Sequence, residues 1–266
     1  MLLTGFFTSA GMDTLPDAYL YGWQHFVYIG FAVISMFLIL RYFKPKDPRI
    51  TKRCINVALV LMLLLKYGGE VIFVTEWYRY AEPVSSFSHA FWDWRTLISF
   101  QICGVNNIFL PLVIWFNLKS FKNFVYVSSI IGGIAVILYP VGVLYGDPFV
   151  LTFPMLRSLI VHYFLVLIPL YQIKTGELKF ENRQWPRYLW GSVAVNLWAL
   201  YGNLFVDPTA NNLYMMSNPF YGGPIPILNA LPDGWHLPFQ YTLVAVSFYV
   251  IHRLIMRYQR LHLALL

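Results

Sequence analysis

Cys103 and His162 are the side chains of this sequence with the most chemistry to offer, and each lies inside a long apolar stretch. A thiol beside an imidazole makes the working pair of a covalent acyl-transfer site. The base takes the thiol proton, the sulfur attacks an ester carbonyl, and the acyl group is carried as a thioester. Burial disfavours a bare thiolate whereas a nearby base or cation favours it, so the histidine is what makes the cysteine useful. Both residues also have a plain reading. A lone free cysteine in an apolar run can be a small hydrophobe, and a deep histidine can be a hydrogen-bonded part of the core.

Other polar groups share the apolar stretches. Lys66 and Glu70 are spaced i, i+4, so on a helix they lie on one face and can pair; Glu70 could instead orient His162 as a third member of a relay. Gly68 and Gly69 between them allow a neighbouring helix to come close. Gln101, Asn106, Asn107 and Asn203 are candidate substrate contacts, with helix–helix hydrogen bonding as their plain reading. His25, His89, His236, His252 and His262 fall near the ends of the apolar stretches or in loops, where interfacial solvation is expected to account for them. Cys54 and Cys103 fall at opposite ends of their stretches and do not suggest a disulfide.

Several chemistries drop out. No HExxH, CxxC or paired-histidine spacing occurs, so no metal site is expected. No glycine loop is built to cradle phosphates, and no cofactor is expected. The last apolar stretch has no lysine for a Schiff base. Aspartates are absent from the interiors of the stretches, which counts against a proton pump.

The elements that must position these groups are set by composition. Of 266 residues, 58% are hydrophobic and only 12% charged, where soluble domains carry about 25% charged. Seven apolar runs, 23–43, 54–75, 97–118, 124–144, 155–173, 188–205 and 237–256, approach the ~20 residues that span a bilayer. They predict one all-α domain over 1–266, a polytopic protein of the cell membrane with seven transmembrane helices. Fifteen of the nineteen Lys and Arg residues fall in the first, third and fifth connections and the tail, against Arg79, Arg95 and Arg157 on the other side. Basic short loops stay cytoplasmic, which predicts the N-terminus outside and the C-terminus inside. The net charge of +7 is then a topology signal that also suits anionic lipid, and nucleic acid is not an expected partner. No basic residue precedes Arg41, so the first span is expected to act as its own insertion signal rather than as a cleaved one.

On this topology, helical rise places Cys103 about 10 Å below a helix start near Thr96, and His162 about 10 Å below a start near Met155. Glu70, Asn203, Gln240 and Tyr241 fall in the same outer third. The last outer loop, from Asp207 to Pro238, holds six prolines. They preclude regular helix through most of it, and a loop of this length is expected to fold back over the outer face as a cover.

Three sets of motifs resemble the transmembrane-protein-164-like proteins, an integral membrane family with bacterial members and an animal member that acylates ether phospholipids. The first is Phe100-Gln101-Ile102-Cys103 followed by Leu110-Pro111-Leu112. The second is Ile160-Val161-His162-Tyr163 followed by Ile168-Pro169-Leu170-Tyr171. The third is Asn203 with Asn211-Asn212-Leu213-Tyr214-Met215 and Asn218-Pro219. The chain departs from the family where Ser99 replaces a frequent proline and Gln101 a frequent histidine. The resemblance implies that Cys103 is the acyl-accepting cysteine, His162 its histidine partner, and the loop with Asn212 and Tyr214 part of the site. The expected function is a lipid acyltransferase, with membrane phospholipids as acyl donor and acceptor. In that reaction Asn107, or Asn203 with the outer loop, stabilises the oxyanion, and His162 handles the proton in both half-reactions. Two rivals stay open: a lipid ester hydrolase with the same pair, and a non-enzymatic protein whose polar pocket binds a lipid or solute.

Overall fold

The computed structural model describes residues 20–45, 47–80, 98–140, 152–177, 180, 185–208, 210–223 and 226–262, with the side chains of residues 70–80, Pro154 and His262 outside that description. The described residues are helical with short connections, and no strand occurs among them. Each of the seven apolar runs overlaps a helix. In chain order these are α1 (Trp23–Tyr42), α2 (Pro48–Tyr80), α3 (Ile102–Trp115), α4 (Lys119–Leu138), α5 (Phe153–Lys174), α6 (Trp185–Tyr201) and α7 (His236–His262). A π-helical turn, Gly202–Val206, extends α6.

Five of them, α1, α4, α5, α6 with its π-turn, and α7, are long and apolar enough to cross a membrane, and α3 is a shorter apolar helix. Their environments differ. About 61% of the most apolar window of α4 and 56% of that of α5 are buried, against 17% for α1, α6 and α7. The exposed faces of the last three carry large apolar side chains, among them Phe31, Ile34 and Phe37 on α1, Trp190 and Leu197 on α6, and Leu243 and Leu254 on α7. Apolar surface in water costs about 25 cal/mol per Å², so faces of this kind belong against lipid tails. The protein is an all-helical integral membrane protein.

The described chain forms two compact units, one from the residues up to Ile98 with Gly132–Tyr171 and one from Ser99–Ile131 with the residues from Gln172 onward. In the first, Ala32 and Met36 of α1 pack with Ile137, Val166 and Leu167. Gly133 lets α4 and α5 touch: a Cβ there would sit 2.7 Å from the His162 carbonyl and 2.5 Å from Val166. Gly69 does the same for α2, where a Cβ would overlap the guanidinium arm of Arg157. In the second unit, Phe124 stacks on Phe248 and closes against Gly191. Tyr126 donates to the Gln172 side chain, and Asn106 donates to Ser128 at 3.0 Å.

Two expectations change. Helix α3 begins at Ile102, not near Thr96, so Cys103 lies in its first turn and a depth counted by helical rise from Thr96 does not apply to it. The apolar run Leu97–Phe100 reads as helix, but from Ser99 onward tertiary partners claim the backbone. Trp198 Nε1 donates to the Ser99 carbonyl at 3.1 Å, the Gln101 amide donates to Ser99 Oγ at 3.3 Å, and Gln101 itself is extended. The histidines near the ends of the stretches are not solvated either. His25, His236 and His252 are 0%, 0% and 2% exposed, because each has found a polar partner; His89 and the His262 side chain lie outside the described residues.

Candidate functional site

Cys103 belongs to the second unit, where most of the candidate residues gather. Its place in the first turn of α3 puts the thiol beside backbone N–H groups that have no helical acceptor, the end of a helix that favours negative charge. Asn106 and Asn107 come at i+3 and i+4, so all three share one helix face. Both asparagines are buried. Asn106 Oδ1 and Asn107 Oδ1 have no hydrogen-bond partner, and among the described residues the Asn107 carboxamide makes no hydrogen bond at all. Gly104 is pressed against Ser99, whose side chain a Cβ at position 104 would overlap.

The proline-rich loop does fold back, onto the starts of α3 and α7. Its segment 211–214 is held by side chains from three elements. Gln101 Oε1 accepts the Leu213 amide at 2.9 Å and Gln101 Nε2 donates to the Asn211 carbonyl at 3.3 Å. Asn203, carried on the π-turn, accepts the Asn212 amide and side-chain NH₂, each at 2.8 Å, and donates to the Asn212 carbonyl at 3.1 Å. From α7, Gln240 Nε2 donates to the Leu213 carbonyl at 2.7 Å and His236 Nε2 donates to the Tyr214 carbonyl at 2.8 Å. These bonds hold Leu213 and Tyr214 at φ 52° and 54°, in the left-handed region. Two consecutive non-glycine residues there are strained and persist only where the surroundings over-determine them.

The strain aims Tyr214. Burial of its hydroxyl, and then the charge of a Cys103 thiolate, hold the phenol above its ordinary value. Tyr214 therefore keeps its proton and can donate. Asn203, by contrast, uses both polar atoms on Asn212 and is a clamp for the loop. Of the two expected oxyanion donors, only Asn107 has a carboxamide to offer.

His162 belongs to the first unit. Its Nδ1 lies 2.7 Å from the Ser158 carbonyl and 3.3 Å from Ser158 Oγ. A carbonyl can only accept, so Nδ1 carries the proton and Nε2 holds the lone pair. Nε2 has no hydrogen-bond partner among the described residues. His25 in the same unit is the contrast: Nδ1 accepts the Tyr21 amide at 3.1 Å and Nε2 donates to the Ile137 carbonyl at 2.9 Å. Lys66 also lies in this unit. Its carbonyl accepts from Arg157 at 3.3 Å, and its ammonium sits 5.9 Å from the centre of the Tyr67 ring. The side chain of Glu70, and with it the expected pairing to Lys66 or His162, lies outside the described residues.

Among the described residues no three His, Cys, Asp or Glu side chains come together to hold a metal ion. Two residues of the second unit play a larger part than the sequence suggests. His236 reads there as an interfacial histidine and Gln240 only as a polar group of the outer third; the usable signal is their i, i+4 spacing directly after the proline-rich loop.

Apolar helices of this length and exposure define a polytopic membrane protein, with the thiol at a helix start and the buried carboxamides as its candidate site. The chain belongs to the TMEM164 family, whose model matches residues 20–257. No match was found to a curated protein or to a solved structure.

Proposed function

We propose that this protein is a membrane-embedded lipid acyltransferase of the cell membrane that works through a Cys103 thioester with His162 as base. The observation that carries the reading is the state of His162. His25 spends both ring nitrogens on protein partners, whereas His162 fixes Nδ1 on the Ser158 carbonyl and leaves the Nε2 lone pair without a partner among the described residues. In the reaction, Nε2 takes the Cys103 proton and the sulfur attacks the acyl carbonyl of a donor phospholipid. The C–S bond forms, the Asn107 carboxamide and the Tyr214 hydroxyl stabilise the oxyanion, and the donor alkoxide leaves with the proton from His162. The acyl group then passes to the hydroxyl of an acceptor lipid and the thiol is restored. The proposal keeps seven spans, with the N-terminus outside and the C-terminus inside, and a site in the outer third of the bilayer.

The test is a covalent label. Purified protein incubated with a phospholipid labelled in its acyl chain should acquire a hydroxylamine-sensitive label that is lost in Cys103→Ala. Label and lipid remodelling that both survive Cys103→Ala would move the nucleophile elsewhere and favour a lipid-binding protein. Label that is discharged by water as fast as by a lysophospholipid would make the protein a hydrolase.

A further inference from the structure

His236 and Gln240 share an arrangement that the reaction above leaves unused. They begin α7 four residues apart, so their side chains lie on one face of the helix. Each spends its donor on a neighbouring carbonyl of the strained loop, His236 Nε2 on Tyr214 and Gln240 Nε2 on Leu213. These bonds fix the imidazole tautomer and the orientation of the amide. Beyond these bonds each keeps an acceptor, His236 Nδ1 and Gln240 Oε1, and both atoms are buried without a partner. The His236 side chain is 0% exposed. Leaving a buried polar atom unsatisfied costs about 1–3 kcal/mol, and here two such atoms come from positions i and i+4 on one helix face. Neither can be satisfied by turning the ring or the amide, since that would break a bond to the loop. The missing partner must bring hydrogen, and it must reach the unit that holds Cys103 and Tyr214.

We propose that His236 Nδ1 and Gln240 Oε1 form the docking site for the hydroxyl of the acyl acceptor, an alcohol group on a lipid that donates its hydrogen bond to this pair. The inference rests on the acyltransferase reading and adds to it the place where the second substrate is held. Because the Tyr214 carbonyl accepts from His236, and Tyr214 serves the thioester in the proposed reaction, the same turn of α7 ties acceptor binding to the thioester. A water molecule is the competing occupant, since buried waters also satisfy such groups.

The two half-reactions separate these possibilities. Full-length protein in lipid nanodiscs is charged with acyl-labelled phospholipid, and the Cys103 label is then discharged with a lysophospholipid. His236→Lys and Gln240→Lys each keep an N–H donor for the loop carbonyl but carry no acceptor. The expected result for each is a charging rate within twofold of the unsubstituted protein, with discharge slowed at least tenfold and the KM for the lysophospholipid raised. Unchanged discharge in both variants would assign the pair to a structural water and overturn the proposal. An equal loss of charging and discharge would make them loop-positioning residues only, and overturn it as well. A protein that takes no label on Cys103 before any substitution would instead remove the acyltransferase reading, and this inference with it.

Discussion

Two asparagine substitutions distinguish a structural imidazole from a working one. In His162→Asn the new carboxamide can donate to the Ser158 carbonyl as Nδ1 does now, but nothing replaces Nε2. Thermal stability should stay within about 1 kcal/mol, the net worth of an ordinary hydrogen bond, while acyl transfer falls by roughly 10²-fold or more, the scale of a lost general base. The same change at His25 should do the reverse, lowering stability and sparing turnover, because that ring joins Tyr21 to Ile137. Tyr214→Phe should slow labelling of Cys103 by about 100- to 1,000-fold without unfolding the protein, as expected for a lost oxyanion donor. Asn203→Ala belongs with the structural class. It strips three hydrogen bonds from Asn212, and protease sensitivity within 207–235 should rise before the helices melt.

At the scale of elements, glycines decide how closely helices approach. Gly133→Ala forces a methyl group against the His162 carbonyl and Val166; overpacking of this kind costs about 1–3 kcal/mol, and the shift it imposes on α5 should lower activity more than the stability loss alone explains. Thermal unfolding and turnover measured on one preparation would check both. The positions of the helices are legible in the sequence because long apolar runs announce themselves. The start of α3 is not. Leu97 to Phe100 is as apolar as the helix beyond it, and the bond that claims the Ser99 carbonyl comes from Trp198, 99 residues away. The buried histidines are hidden for the same reason: the partners of His25 and His236 are backbone carbonyls 112 and 22 residues distant, and a carbonyl leaves no mark in a sequence. Cys103, Asn107 and Tyr214 can be picked out by residue type and resemblance. That Asn203 holds the loop cannot be read, since the π-turn that carries it has no signature of its own.

For the whole molecule, the basic connections make the topology testable. Reporter fusions after Lys44, Leu118 and Gly176 should all report the cytoplasmic side, and an external signal from any of them would contradict the proposed orientation. The ties that hold α7 in the second unit have another consequence. Gly222, at φ +72° with open space around it, lies between partners that are joined without it: Asn218 donates to the Leu228 and Leu231 carbonyls, the Asn218 amide donates to Asp233, and His236 and Gln240 reach back to 213–214. Tyr188 bonds to His252 and Phe124 stacks on Phe248 farther along α7. Chain continuity at Gly222 therefore contributes little to keeping α7 in place. The protein should tolerate being made as two polypeptides, one ending at Gly222 and one beginning at Gly223, which assemble in the membrane and co-purify as a nicked but active whole.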